Sequence, residues 1–96
     1  MAKLPAPITF DWDRGNIEKN WKRHNVHYRE SEEAFFNKPL RIFPDKKHSK
    51  KERRILGLGV TNTNRKLTII FTIREKTIRI ISARDMNKKE RTTYDR

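Results

Sequence analysis

Leu67-Thr68-Ile69-Ile70-Phe71-Thr72-Ile73-Arg74-Glu75-Lys76-Thr77-Ile78-Arg79-Ile80-Ile81-Ser82-Ala83-Arg84 is the stretch on which the reading of this chain turns. Two runs rich in β-branched and aromatic residues flank the polar pair Glu75-Lys76, the pattern of a hairpin, although Glu-Lys is not a favoured two-residue turn. With the turn there, Arg74 faces Thr77, Thr72 faces Arg79, Phe71 faces Ile80 and Ile70 faces Ile81. Leu67, Ile69, Phe71, Ile73, Ile78 and Ile80 then share one face and form a core wall. Thr68, Thr72, Arg74, Thr77 and Arg79 share the other with Ile70 and Ile81. By the same alternation Arg84 falls on the core side at a strand end, where a helix C-terminus or an acidic residue would take its charge.

Working outward, residues 53–61 read as a further strand, with Arg54, Leu56, Leu58 and Val60 one way and Arg53, Ile55, Gly57 and Gly59 the other; Leu56, Leu58 and Val60 join the core, and Arg53, Gly57 and Gly59 the open face, where the glycines remove bulk. Residues 40–44 are a short strand, 45–52 an exposed charged loop and 61–66 a turn. Before them, Ile8, Phe10 and Trp12 alternate as a half-buried strand. Asp13 caps a helix over 14–24, whose inward stripe is Ile17, Asn20, Trp21 and His24. Asn25 suits the left-handed end of that helix, with Val26 folding back on its last turn. A second helix covers 29–36, with Tyr28, Ser31 and Phe35 on one side and Ala34 beside them, and a polar helix covers 86–94. Residues 1–7, with Pro5 and Pro7, form a loose lead-in, and 8–96 form one domain. The expected fold is α+β: an antiparallel sheet of about four strands, two helices from the N-terminal half packed on one face, and a C-terminal helix.

Composition sets the chemistry. The 96 residues carry 24 Lys+Arg against 12 Asp+Glu, and 24 − 12 gives +12. Charged residues at 38% and hydrophobic ones at 33% lean toward the disordered range, but periodic placement of the apolar residues makes a folded domain with a thin core. Cysteine is absent, which excludes disulfides and thiolate chemistry. No apolar run reaches the roughly 18–20 residues of a spanning helix, and the N-terminus lacks the stretch of a signal peptide, so the reading is cytoplasmic. An excess of twelve positive charges on so small a body draws a polyanion, and nucleic acid is the commonest in that compartment; the basic residues are too dispersed for a membrane-surface helix.

A basic residue on an exposed sheet face is by default solvated, but Arg53, Arg74 and Arg79 together make a face suited to phosphate, whose oxygens match guanidinium forks. If the polyanion is an RNA and the site were to cut it without a metal, it would need a base near the 2′-hydroxyl, positive charge at the phosphate and an acid for the leaving 5′-oxygen. Of His24, His27 and His48, only His48 lies in a polar loop, beside Glu52 and Arg53. On the residues alone, His48 is as well read as an ordinary loop histidine, and it and Glu52 are the candidates should the site have to move a proton. His24, on an inward stripe, is assigned first to packing or capping, and Lys22 and Tyr94 are lesser candidates. The histidines lack i, i+4 spacing and the acids do not cluster, which disfavours a metal site. Three classes stay open: a ribonuclease, a non-catalytic RNA- or DNA-binding module, and a domain that grips a protein through Trp12 and Trp21. The group His48, Glu52 and Arg53 facing Arg79 favours the first, since passive binders usually expose aromatics for stacking and the open face shows none; both tryptophans are assigned to the core.

Phe10-Asp11-Trp12-Asp13 before a helix ending Lys22-Arg23-His24-Asn25-Val26, then Glu33-Ala34 with Phe36, Asp45 with His48-Ser49 and Glu52-Arg53, and above all Ile78-Arg79-Ile80-Ile81-Ser82-Ala83-Arg84 with Glu90-Arg91 and Tyr94, resemble the BrnT family of type II toxins over residues 8–94. Asn25 stands where that family usually has Gly, and both suit the helix end. His27 replaces a small capping residue, which weakens the start of the second helix. The resemblance implies a RelE-like fold and a ribonuclease that needs no metal or other cofactor and inhibits translation. It also implies a BrnA-like antitoxin with a DNA-binding module, in a hetero-oligomer that represses its own operon. With it, His48, Glu52, Arg53 and Arg79 are the expected catalytic group, and Arg74, Arg84, Lys22, His24 and Tyr94 the expected RNA contacts.

Overall fold

Asp13 opens the first helix, α1 (Arg14–His24), by accepting the Asn16 amide at 2.7 Å. The computed structural model describes residues 4–45, 47 and 52–96, so residues 1–3 of the expected lead-in and His48-Ser49 of the charged loop lie outside the described residues. After α1 come α2 (Tyr28–Phe36), β1 (Arg41–Pro44), β2 (Ile55–Val60), β3 (Lys66–Arg74), β4 (Thr77–Asp85) and α3 (Lys88–Tyr94). The strands form one sheet in the order β1-β2-β3-β4, every neighbour antiparallel, which gives the expected α+β architecture.

Asn25 ends α1 at φ 53°, and Val26 behind it is fully buried. His27 strengthens the start of α2, contrary to expectation. Its Nδ1 accepts the Arg29 amide at 3.2 Å while Glu30 accepts the His27 amide at 3.0 Å, so the imidazole does the work of a serine oxygen in a capping box. Residues 8–12 add a single parallel bridge, Phe10 to Ile78, rather than a strand of the sheet. Trp21 is 53% exposed, not core, because the neighbouring Asn20 takes the inward position and its Oδ1 accepts the Ala83 amide.

The hairpin turns at Glu75-Lys76, with φ 50° and 66°, the left-handed pair that matches strand twist. Its register runs as predicted from Arg74↔Thr77 to Phe71↔Ile80, then a bulge intervenes and Ile70 pairs with Ser82 rather than Ile81. Every residue after the bulge changes face. Arg84, expected on the core side, pairs with Thr68 and stands on the open side. From behind, α1 holds the bulge: Asn16 Nδ2 donates to the Ile80 carbonyl at 3.1 Å and Lys19 Nζ to the Ile81 carbonyl at 2.8 Å.

The faces of β2 are the reverse of the sequence expectation. Ile55 is buried in the main core with Phe35 and Phe71, while Leu58 is buried against Met86 and Tyr94 beneath α3. A Cβ on Gly59 would lie 2.8 Å from the Ala34 carbonyl oxygen, so Gly57 and Gly59 mark where α2 presses on the strand, not cleared open surface. Leu56, Leu58 and Val60 belong to the other face.

Candidate active site

On that other face α3 covers one end of the sheet, and among the described residues no helix covers the end near the hairpin turn, where Thr72 is nevertheless buried under the segment that precedes β2. By strand alternation and the bulge, β2 contributes Leu56 and the residue before it in chain order on that side, Arg54, just outside the strand, β3 contributes Ile70, Thr72 and Arg74, and β4 contributes Arg79, Ile81, Ser82 and Arg84. Glu52 lies just before β2 in the chain, and Thr72 ties that segment down by donating Oγ1 to the Arg53 carbonyl at 2.8 Å.

Carboxylates hold the guanidiniums in place. Arg74 makes a two-pronged contact with Glu52 at 2.9 and 3.0 Å. Those hydrogen bonds, aided by the charges of Arg74, Arg54 and Arg79, outweigh desolvation and hold Glu52 below the usual carboxylate range, so it is ionised at neutral pH. Arg79 reaches Asp11 at 3.3 Å and also bonds Asp13. Asp13 is lowered by the Asn16 amide first and by Arg79 second. Arg84 grips Glu90 at 2.7 and 2.9 Å, and Glu90 also accepts from Thr68 at 2.8 Å and the Asn87 amide at 2.9 Å. Burial works against the Glu90 charge, but these donors overcome it and pull the group down to about 2.

Between Arg54 and Arg84 lies a cavity of about 310 Å³ bounded by Asp45, Leu56, Ile70, Ile81 and Ser82. Among the described residues no group of three His, Cys, Asp or Glu side chains is placed to hold a metal ion. A face of forked cations around an ionised carboxylate is equipped to seat a phosphodiester and to accept a proton beside it.

A model of the ribonuclease toxin BrnT, of type II toxin-antitoxin systems, matches residues 12–90 of the chain. The chain belongs to the BrnT family. No curated protein matches it. The matched span of this BrnT chain takes in the arginine face, the bulge and Glu90, and stops short of Tyr94. No helix among its described residues is long and apolar enough to cross a membrane.

Of the residues expected to serve this BrnT site, Arg74, Arg79 and Arg84 stand on this sheet face, with Glu52 held beside them by Arg74. Arg53, expected there too, is exposed and falls by the same alternation on the side of Ile55, opposite Arg54, because the faces of β2 are reversed. His48 lies outside the described residues. Lys22 is exposed on α1, and His24 is half-buried at the end of that helix, near Asp85, in the layer behind the sheet. Tyr94 is 5% exposed and donates its hydroxyl to the Pro39 carbonyl at 2.6 Å, which fastens α3; burial pushes its phenol up. Arg54 was missed, because Leu56, Leu58 and Val60 read as core. The alternation of Gly57 and Gly59 against Ala34 was the available signal. Ser82 was missed because a bulge leaves little trace in sequence beyond the doubled Ile80-Ile81.

Proposed function

We propose that this BrnT protein cleaves RNA without a metal ion, inhibits translation in the cytoplasm by doing so, and is kept inactive by a BrnA-like, DNA-binding antitoxin that covers this sheet face, in a hetero-oligomer that represses its own operon. The observation that carries the cleavage reading is the carboxylate of Glu52 held by the Arg74 guanidinium at 2.9 and 3.0 Å on the face that also carries Arg54 and Arg79. In the reaction the 2′-oxygen gives its proton to a base and bonds to phosphorus. The bond from phosphorus to the 5′-oxygen breaks, and that oxygen takes a proton from an acid. A 2′,3′-cyclic phosphate and a 5′-hydroxyl result. Glu52 and His48 divide the two proton transfers, while Arg54, Arg74 and Arg79 neutralise the phosphate as its charge rises. An antitoxin with acidic residues against these cations stops the reaction by occupying their face.

The test is cleavage of single-stranded RNA in EDTA, with the new ends identified. Cyclic phosphate ends are expected, together with competition between RNA and the antitoxin. Activity that disappears with chelation and returns with a divalent ion overturns the mechanism, and a complex holding RNA and antitoxin at once on the intact toxin overturns the occlusion.

A further inference from the structure

The bulge in β4 does something a regular strand cannot: it sets two consecutive residues, Ile81 and Ser82, on the same face of the sheet. Together with Leu56 and Ile70 they make a small aliphatic floor carrying one hydroxyl, and Arg54 and Arg84 stand at its borders with Asp45. We propose that this cavity is a nucleobase subsite, which takes one unstacked base of a single strand on Leu56, Ile70 and Ile81, reads its edge with the Ser82 hydroxyl, and holds the flanking phosphates on Arg54 and Arg84. This rests on the reading of the face as an RNA site and adds the position at which sequence is sensed.

Size, shape and rigidity support the assignment. A hollow of about 310 Å³ lies at the small end of the roughly 300–1,000 Å³ range of ligand sites, enough for one base and not for a paired helix, whose bases are stacked inside. The floor is apolar where a base presents its faces, and the charge lies at the rim, where the backbone passes. A hydroxyl is both donor and acceptor, so it can pair with a base edge whichever way the edge is polarised. The walls are also fixed before any ligand arrives. Asn16, Lys19 and Asn20 of α1 hold the bulge at the Ile80 carbonyl, the Ile81 carbonyl and the Ala83 amide, and Glu90 holds Arg84. Such preorganisation is what a selective pocket requires.

The test is a binding cycle with 2′-deoxy tetranucleotides, which cannot be cleaved, carrying each of the four bases or an abasic site at one position. On the wild type, removing that base should weaken binding about tenfold or more. On Ile81→Trp, which fills the hollow, the same removal should change little, and Ser82→Ala should compress the preference among the four bases by roughly three- to tenfold, the worth of one hydrogen bond. Thermal melts of both variants should stay near the wild type, because both residues are only partly buried. If the abasic site costs as much on Ile81→Trp as on the wild type, or if the wild type does not bind, the subsite is refuted. Because no cleavage is read, a chain that binds in this pattern but cuts no RNA keeps the subsite and overturns the catalytic reading instead.

Discussion

Replacing Glu90 with glutamine should loosen α3 in a way that depends on pH. The carboxylate accepts from both terminal nitrogens of Arg84, from Thr68 and from the Asn87 amide, so one side chain joins the helix cap to β3 and β4. Its fall from an ordinary 4.5 to about 2 measures how much the folded state favours the charged form. At about 1.36 kcal/mol per tenfold change this corresponds to about 3 kcal/mol, and solvent screening cuts it to about 1–2 kcal/mol. The discount applies because the Arg84 side chain is 37% exposed, although that of Glu90 is only 16% exposed. Since the folded value is the depressed one, the contribution is complete above about pH 4.5 and is lost as the pH falls toward 2. For a domain of this size the gap in melting temperature between wild type and Glu90→Gln should be about 4–16 °C at pH 7. It should narrow below pH 4.5. Melts of both proteins at pH 7, 5, 4 and 3 provide the check. A gap under about 2 °C at pH 7, or one that keeps its full size at pH 3, would show that the contact contributes no net charge stabilisation.

Gly59→Ala should cost about 1–3 kcal/mol in urea unfolding, since its new Cβ meets the Ala34 carbonyl oxygen at 2.8 Å, whereas Gly57→Ala, facing a Phe71 ring carbon at 3.3 Å, should cost less than half as much; equal costs would contradict the assigned face. Arg65→Met removes the side chain that binds Glu30, Asp85 and the carbonyls of His24 and Asn25, and about 2–4 kcal/mol of stability should go with it. Lys19→Met should speed amide exchange around Ile81 and Ser82 with a stability loss of only about 1 kcal/mol. Arg54→Ala should lower RNA cleavage about 10- to 100-fold with a melt within a few degrees of wild type, and a folded, fully active variant would remove Arg54 from the site.

Where local rules decide, the sequence read correctly. Asp13 and Asn25 bound α1 because capping and left-handed geometry admit few residue types, and the hairpin centre followed from alternation around Glu75-Lys76. The errors came where two layers compete for one strand. In β2 both faces are apolar or small, so alternation by itself cannot say which side takes the larger helix layer, and Arg54 reads as lying with Leu56 on the side away from the open face. In β4 one inserted residue turned Arg84 from one face to the other, a change decided by the hydrogen bonds that α1 makes to the strand edge. Trp21 gave way to Asn20 for a related reason: an asparagine that satisfies the Ala83 amide outweighs the burial of an indole at that spot.

The carboxylates that hold Arg74, Arg79 and Arg84 are internal counterions. A free arginine that meets a phosphate releases condensed ions from the nucleic acid, and each such contact steepens the fall of affinity with salt. An arginine already neutralised by Glu52, Asp11 or Glu90 brings a matched anion with it, so its net draw on the phosphate is weaker and its position is less responsive to ionic strength. Salt titration of RNA binding at this face should therefore have a shallower slope than the number of its guanidiniums suggests, while the charges spread over the rest of the surface still govern how quickly RNA arrives. Nonspecific grip and productive seating are in this way set by different sets of residues on the same small body.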